Sequence, residues 1–361
     1  MKCSENQGDR AGEPKVAVAI PAFNVARLVH KVIANLPAFV AHVVVVDDQS
    51  SDATAEALAQ CNDPRLVVLR HRSNLGVGGA MLTAYAKALE LGADIVVKMD
   101  GDDQMDPAQI RRLIGPLVRG EADYSKGNRF QHLGALHSMP ALRRLGNYGL
   151  SFLTKLASGY WQIFDPTNGF TAIHRRALRL IDAQTIDPRY FFETSMLFEL
   201  RRLGAVVCDV PMPARYGDEA SSLSVGKALF EFFGKLLGGF WRRLRRQYFR
   251  YDFNAASLLI VLAIPALLFG ATWGAAHWYR SVTSNVPATT GTVLIAVLPI
   301  VVGFQFILQA LAIDVASFPR SAIQANETLW DRHIEDESSL ASLLRRQPER
   351  LIDQEHERAC G

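Results

Sequence analysis

The chain has 361 residues, enough for one sizeable domain with an appendage or for two domains. Its composition is 49% hydrophobic and 21% charged, with a mean hydropathy of +0.07. That is high for a wholly soluble protein and directs attention to a membrane part. The net charge of +3 is modest but unevenly placed, since Trp241 to Arg250 alone holds five arginines. Cys3, Cys61, Cys208 and Cys360 stand far apart with no zinc-ligand spacing, so free thiols in a reducing compartment are expected.

The first fourteen residues are polar and lack an apolar core, which predicts a loose tail in place of a signal peptide or anchor. Lys15 to Ile20 reads as a short buried strand ended by Pro21-Ala22-Phe23-Asn24. A helical pattern follows from about Val25 to Leu36, with Leu28, Val32, Ile33 and Leu36 on one face. His42 to Val46 is a second apolar strand, followed by Asp47-Asp48-Gln49-Ser50-Ser51-Asp52, and Thr54 to Gln60 continues as a helix. Leu66 to Leu69 is the third strand, Gly76 to Leu91 a glycine-opened helix, and Ile95 to Met99 the fourth strand. Strands that are apolar throughout and alternate with amphipathic helices imply a parallel sheet covered on both faces. Ligands of such sheets bind outside the carboxyl ends of the strands. Asn24, Asp47 with Asp48, and Asp100 with Asp102 each follow a different strand, so they should line one edge.

The fourth strand ends in Asp100-Gly101-Asp102-Asp103-Gln104, with Asp106-Pro107 placed to open a helix under a capping carboxylate. Four carboxylates within seven positions need either full solvation or a cation. A glycine between two of them lets both side chains converge on one hard metal. A solvated acidic turn accounts for this stretch taken alone equally well. A dinucleotide-binding domain is the competing reading of the fold, but the turn after the first strand lacks Gly-x-Gly-x-x-Gly. Gly76-Val77-Gly78-Gly79 comes too late in the chain to serve. It reads as a flexible helix entry whose amides could also approach a phosphate.

Further on, Asp123 to Phe130 predicts a strand running into Gly127-Asn128-Arg129, His132 to Met139 a mobile loop, and Leu142 to Leu156 a helix. The turn-rich Asp165-Pro166-Thr167-Asn168-Gly169-Phe170 precedes a short strand, Thr171 to His174. A helix from Phe191 to Leu203 and a last strand from Ala205 to Val210 complete the domain. Beyond Ser224 the character changes. Gly226 to Tyr251 interleaves Phe230, Phe233, Leu237, Phe240, Trp241 and Leu244 with basic residues, as in an amphipathic helix at a membrane surface. Ala255 to Trp273 and Thr292 to Ala312 each approach the ~20 apolar residues that span a bilayer, and their Pro265 and Pro299 are tolerable there. The loop between them holds only Arg280. With the spans at about 255–275 and 292–312, the positive-inside rule therefore places residues 15–225 and the tail from Ser317 to Gly361 in the cytoplasm, and an integral protein of the inner membrane is expected. Within the tail a helix is predicted from Glu337 to Leu351.

Taken in order, Pro21-Ala22-Phe23-Asn24, Val46-Asp47-Asp48-Gln49-Ser50-Ser51-Asp52, Asn74-Leu75-Gly76, Asp100-Gly101-Asp102-Asp103-Gln104, Gly127-Asn128-Arg129, Asp165 to Phe170 and Arg215-Tyr216-Gly217 form a set. The set resembles family 2 glycosyltransferases of the GT-A fold, in the branch of dolichyl-phosphate mannose synthases and bacterial polyprenyl-phosphate glycosyltransferases. It covers about Val16 to Leu223, with the paired membrane helices after it. The resemblance implies that Pro21, Ala22, Asn24, Asp48, Asn74, Gly79, Asp100 and Gly101 line a nucleotide-sugar site. It implies that Asp100, Asp102 and Gln104 hold Mg²⁺ or Mn²⁺, and that Asp102, Arg129, Arg215 and Glu193 serve catalysis. Glu193 is equally well explained as a carboxylate at a helix start. The implied partners are a nucleotide-sugar donor, a polyprenyl phosphate acceptor and the bilayer, with no nucleic acid and a homo-oligomer left open. Two departures stand out: Ala220, Ser221 and Ser222 follow Glu219 where related sequences commonly carry a lysine, and Asp103 replaces a hydrophobic residue of the mannose synthase motif. Extension of a glycolipid or saccharide, and a catalytically silent membrane partner, are the alternative functions.

Overall fold

The computed structural model describes residues 13–129, 141–213, 225–325 and 351–353. Arg215 and its neighbours, the loop His132 to Met139, Cys3, Cys360 and nearly all of the Glu337 to Leu351 helix lie outside the described residues. Of that last helix only Leu351 is described, and it begins a strand.

The alternation read from the sequence is present as β1 (Val16–Ala22), α1 (Val29–Ala34), β2 (Val40–Asp47), α2 (Thr54–Ala59), β3 (Leu66–His71), α3 (Val77–Glu90) and β4 (Ile95–Lys98). There follow α4 (Ile110–Val118), β5 (Tyr124–Asn128), α5 (Ala141–Ser158), β6 (Thr171–His174), α6 (Arg175–Leu180), α7 (Phe192–Leu203) and β7 (Val207–Pro211). After these come α8 (Val225–Arg245), a π-helical turn at Arg246–Arg250, α9 (Ala255–Ser284), α10 (Thr290–Ala316) and β8 (Leu351–Asp353).

The sheet runs β7-β5-β6-β4-β1-β2-β3-β8. It is mostly parallel, but β6 is antiparallel to both neighbours and β8 is antiparallel to β3. The mostly parallel α/β sheet expected from the sequence is therefore present; which strands run antiparallel was not legible in it, because a four-residue buried strand looks the same in either direction. The switch point lies at β1, flanked by β2 on one side and β4 on the other. On one sheet face Val18, Ile20, Val43, Val45, Val97 and Met99 pack with Val32, Ile33, Leu113 and Leu117 of α1 and α4. The opposite face meets α3, whose Ala80, Ala84 and Ala88 are fully buried and let the helix lie close to β1 and β2.

The chain forms two compact units, one of residues 1–151, 162–223 and 319–361, the other of residues 152–161 and 224–318. In the first unit the residues after α10 are fastened to Asp123, whose carboxylate accepts the amides of Ile323 and Gln324 at 2.9 and 3.1 Å and that of Val206 at 2.9 Å. In the second, α9 and α10 are long and apolar enough to cross a membrane. Gly270 and Gly303 allow their close approach: a Cβ at Gly270 would lie 2.6 Å from the Ala296 carbonyl, and one at Gly303 2.8 Å from Leu267 Cγ. Most of their large apolar side chains, such as Leu268, Leu298 and Phe304, are exposed, which suits lipid and not water. The helices continue through Pro265 and Pro299. Near the end of α10 the buried Asp314 accepts from Arg243 at 2.6 Å, Tyr248 at 2.5 Å and Trp161 at 3.1 Å, tying α8 and the π-helical turn to the helical pair.

Candidate active site

The carboxyl ends of β1, β2 and β4 lie side by side, and three residues there adopt left-handed backbone: Asn24 (φ 56°), Gln49 (φ 61°) and Asp103 (φ 57°). Asn and Asp tolerate this region, and glutamine does so at a cost. Such strain persists where surrounding bonds fix it. Asn24 accepts the Ser51 amide at 2.9 Å and donates its own amide to Ser50 Oγ at 3.0 Å. The Gln49 side chain donates to the Arg72 carbonyl and accepts the Asn74 amide. The loops after β1, β2 and β3 are thereby latched into one rim on which Asn24 and Asn74 are exposed. Pro21 is half-buried and Ala22 buried beneath it.

Asp48 sits inside this rim, 3% exposed. Its carboxylate accepts the amides of Leu75 at 2.8 Å and Gly76 at 2.7 Å, and pairs with His71 Nδ1 at 2.7 Å, while His71 Nε2 meets Thr83 Oγ1 at 3.0 Å. Both carboxylate oxygens therefore organise the turn into α3. The glycines that follow also serve packing. The amides of Gly78 and Gly79 donate to the Pro188 carbonyl at 2.9 and 3.1 Å, so they are not presented to a phosphate. A Cβ on Gly78 would stand 2.2 Å from the Asp187 carbonyl. In this structure the Gly76 to Gly79 cluster, Gly79 included, is a backbone seat for the loop 187–189.

At the end of β4 the acidic residues separate into roles. Asp106 caps the 3-10 turn at Pro107, accepting the Ala108 amide. Asp103, which the resemblance did not place among the metal ligands, pairs with Lys31 at 2.5 Å. Asp102 accepts the Gln104 amide at 3.1 Å on a half-buried turn, Gln104 is exposed beside it, and Gly101 is buried against Val25. Asp100 is one-third exposed and its Oδ1 lies 2.6 Å from Lys98 Nζ.

Lys98 is a site residue that the motifs did not single out. Its signal was a lysine at the last position of an otherwise apolar buried strand. It is 1% exposed and its ammonium also lies 3.3 Å from Glu193 in the first turn of α7. Burial alone would discharge it, but Asp100 and Glu193 outweigh that and hold its pKa above the usual lysine range. Lys98, Thr171 and Lys126 are directly paired across β4, β6 and β5, so they share a sheet face. Lys126 is fully buried and donates to the Asn168 carbonyl. Burial pushes its pKa down to about 8, against the pull of Glu193 and Asp165. Arg129 is held by the buried Asp165, with Nε 2.8 Å and Nη2 3.2 Å from its two oxygens.

Among the described residues no three His, Cys, Asp or Glu side chains form a metal cage. Two carboxylates and an amide on one turn do fit a hard cation whose remaining ligands are diphosphate and water oxygens, the usual situation of Mg²⁺.

Comparison with known proteins agrees with this fold. The sequence model of glycosyl transferase family 2 matches residues 17–181. An undecaprenyl-phosphate mannosyltransferase of Micrococcus luteus is 33% identical over 173 residues, covering 47% of this chain and 70% of that one. A UDP-N-acetylglucosamine–dolichyl-phosphate N-acetylglucosaminyltransferase of Methanococcus voltae is 29% identical over 238 residues, covering 62% and 94%. Among solved structures, glucosyl-3-phosphoglycerate synthase from Mycobacterium tuberculosis in complex with UDP superposes with a TM-score of 0.50 at 22% identity, covering 63% of this chain and 80% of that one.

Proposed function

The chain belongs to glycosyl transferase family 2, and from that premise we propose that it transfers a sugar from a nucleotide-sugar to a membrane polyprenyl phosphate. The observation that carries this reading is the acidic turn Asp100 to Gln104 at the switch point of the sheet, in a chain that also holds two helices long enough to span a bilayer. The relatives named for transfer to dolichyl and undecaprenyl phosphate support it.

In this reading the donor lies across the carboxyl ends of β1, β2 and β4. Asn24 and Asn74 present polar groups on the exposed rim, and Asp48 acts through the loop it holds. Asp100, Asp102 and Gln104 hold Mg²⁺ or Mn²⁺, which when bound neutralises charge growing on the departing diphosphate. Arg129, anchored on Asp165, and Arg215 supply guanidinium forks to phosphate oxygens. A phosphate oxygen of the acceptor attacks the anomeric carbon from the face opposite the diphosphate. The new carbon–oxygen bond forms as the old one breaks, with inversion. That oxygen is already anionic at neutral pH, so no side chain has to remove a proton. Glu193 is proposed to act from beside the site through its hold on Lys98. The catalytic unit faces the cytoplasm of an inner-membrane protein, with α8 at the interface.

Purified protein incubated with sugar nucleotides, undecaprenyl phosphate and Mg²⁺ or Mn²⁺ should form a lipid-linked monosaccharide, and EDTA should stop it. Asp102→Ala should lose metal-dependent donor binding while keeping the fold. The absence of product with every UDP- and GDP-sugar and either metal would refute the assignment.

A further inference from the structure

We propose that Lys98 is a resident counter-cation for Asp100 that makes divalent-metal binding depend on the diphosphate of the donor; the inference rests on the donor site proposed above. A lysine side chain 1% exposed is rare, and it persists only when its charge is compensated. Here the compensation comes from Asp100 Oδ1 at 2.6 Å and Glu193 Oε1 at 3.3 Å. Glu193 is itself fixed in the first turn of α7, so Lys98 is held from both sides and cannot swing into solvent. Lys98 takes Oδ1, and Asp100 Oδ2 accepts no hydrogen bond among the described residues, which leaves that oxygen to meet an arriving cation.

Gly169 provides a second, independent observation. Its backbone passes directly over the pair, and a Cβ there would lie 2.6 Å from Lys98 Nζ and 2.9 Å from Asp100 Oδ2. Its φ is not in the left-handed region, so conformational freedom does not require glycine at this position. The absence of a side chain serves the ion pair beneath it.

The electrostatic consequence follows from charge and distance. A divalent ion reaching Asp100 alone finds that carboxylate already compensated and a fixed ammonium within a few ångströms, in surroundings that screen poorly. A nucleoside diphosphate brings further anionic oxygens, and the ion then gains more than Lys98 takes away. Metal and diphosphate therefore bind cooperatively, and by reciprocity they also leave together once the sugar has been transferred. A lysine of merely structural purpose would stabilise the loop without coupling the two ligands.

The test uses the full chain in detergent and reads free Mn²⁺ by electron paramagnetic resonance, with and without UDP or GDP, so it needs neither the sugar nor the acceptor. Wild type should bind Mn²⁺ weakly alone and at least tenfold more tightly with one of the nucleotides. Lys98→Met should tighten Mn²⁺ binding in the absence of nucleotide by about tenfold and shrink the coupling. Lys98→Arg should restore it. The double variant Lys98→Met with Glu193→Gln removes both buried charges and provides the same reading if the single variant does not fold. Unchanged Mn²⁺ affinity and coupling in the uncharged variants, or loss of both together, overturns the inference while leaving the donor site standing. Wild type that binds no Mn²⁺ with either nucleotide overturns the donor site, and this inference with it.

Discussion

Placing a methyl group at residue 169 is the most discriminating perturbation of the site. In Gly169→Ala the new Cβ would start 2.6 Å from Lys98 Nζ and 2.9 Å from Asp100 Oδ2. Unstrained contact lies at about 3.5 Å, so the pair must retreat by roughly 0.6–0.9 Å. Met105 Cε, 3.3 Å from the same point, closes another way out. Overpacking of this kind costs about 1–3 kcal/mol of stability, which a domain of ordinary stability survives. A displacement approaching 1 Å at a reacting centre lowers the rate on the order of 10²-fold, about 2.7 kcal/mol of transition-state stabilisation. The assay is lipid-linked sugar formation at saturating Mn²⁺, with circular dichroism and a melting curve to confirm the fold. Activity within about threefold of wild type would refute the claim that the Lys98–Asp100 geometry matters to turnover.

Asp48→Ala strips acceptors from the Leu75 and Gly76 amides and from His71, and should cost about 3 kcal/mol in urea unfolding together with weaker nucleotide binding. Unchanged unfolding would show that the turn into α3 does not depend on that carboxylate. Asp103→Ala should leave Mn²⁺ affinity within about twofold of wild type, because Asp103 pairs with the exposed Lys31 and such pairs are worth at most about 1 kcal/mol; a tenfold loss in the same titration would add it to the ligand set. Burial, with Arg175 and Arg176 beside it, holds the pKa of His174 down to about 4, against 6.5 for the free group. Its contribution to stability should be fully present above about pH 6.5 and lost as the pH falls through 4, a change of about 2 kcal/mol after allowing for partial exposure. His174→Asn should flatten that acid limb in denaturant titrations. Arg243→Ala leaves Asp314 buried without its ion-pair partner and should destabilise the detergent-solubilised protein by about 3–5 kcal/mol, against little effect from the exposed Arg242.

Periodicity and composition determined the alternation of strands and helices, the apolar spans, and the address of the polar strand ends, because each follows from which side chains must leave water. The acidic turn shows how far that reasoning reached. Local spacing was enough to mark Asp106 as a cap, which depends only on nearby backbone, whereas for Asp100 and Asp102 it left a solvated turn and a metal pair equally open until the family resemblance was added. What Asp103 does depended on Lys31, and what the glycines after Leu75 do depended on Pro188, partners distant in sequence. The same holds for Asp48, which the resemblance places at the nucleotide-sugar site and whose carboxylate engages His71, Leu75 and Gly76 in the fold. Lys98 went unmarked because a single charge in a buried strand has no pattern. Its meaning arises only when β4, β6 and α7 bring Asp100, Gly169 and Glu193 around one ammonium, and close packing then fixes which charge neutralises which.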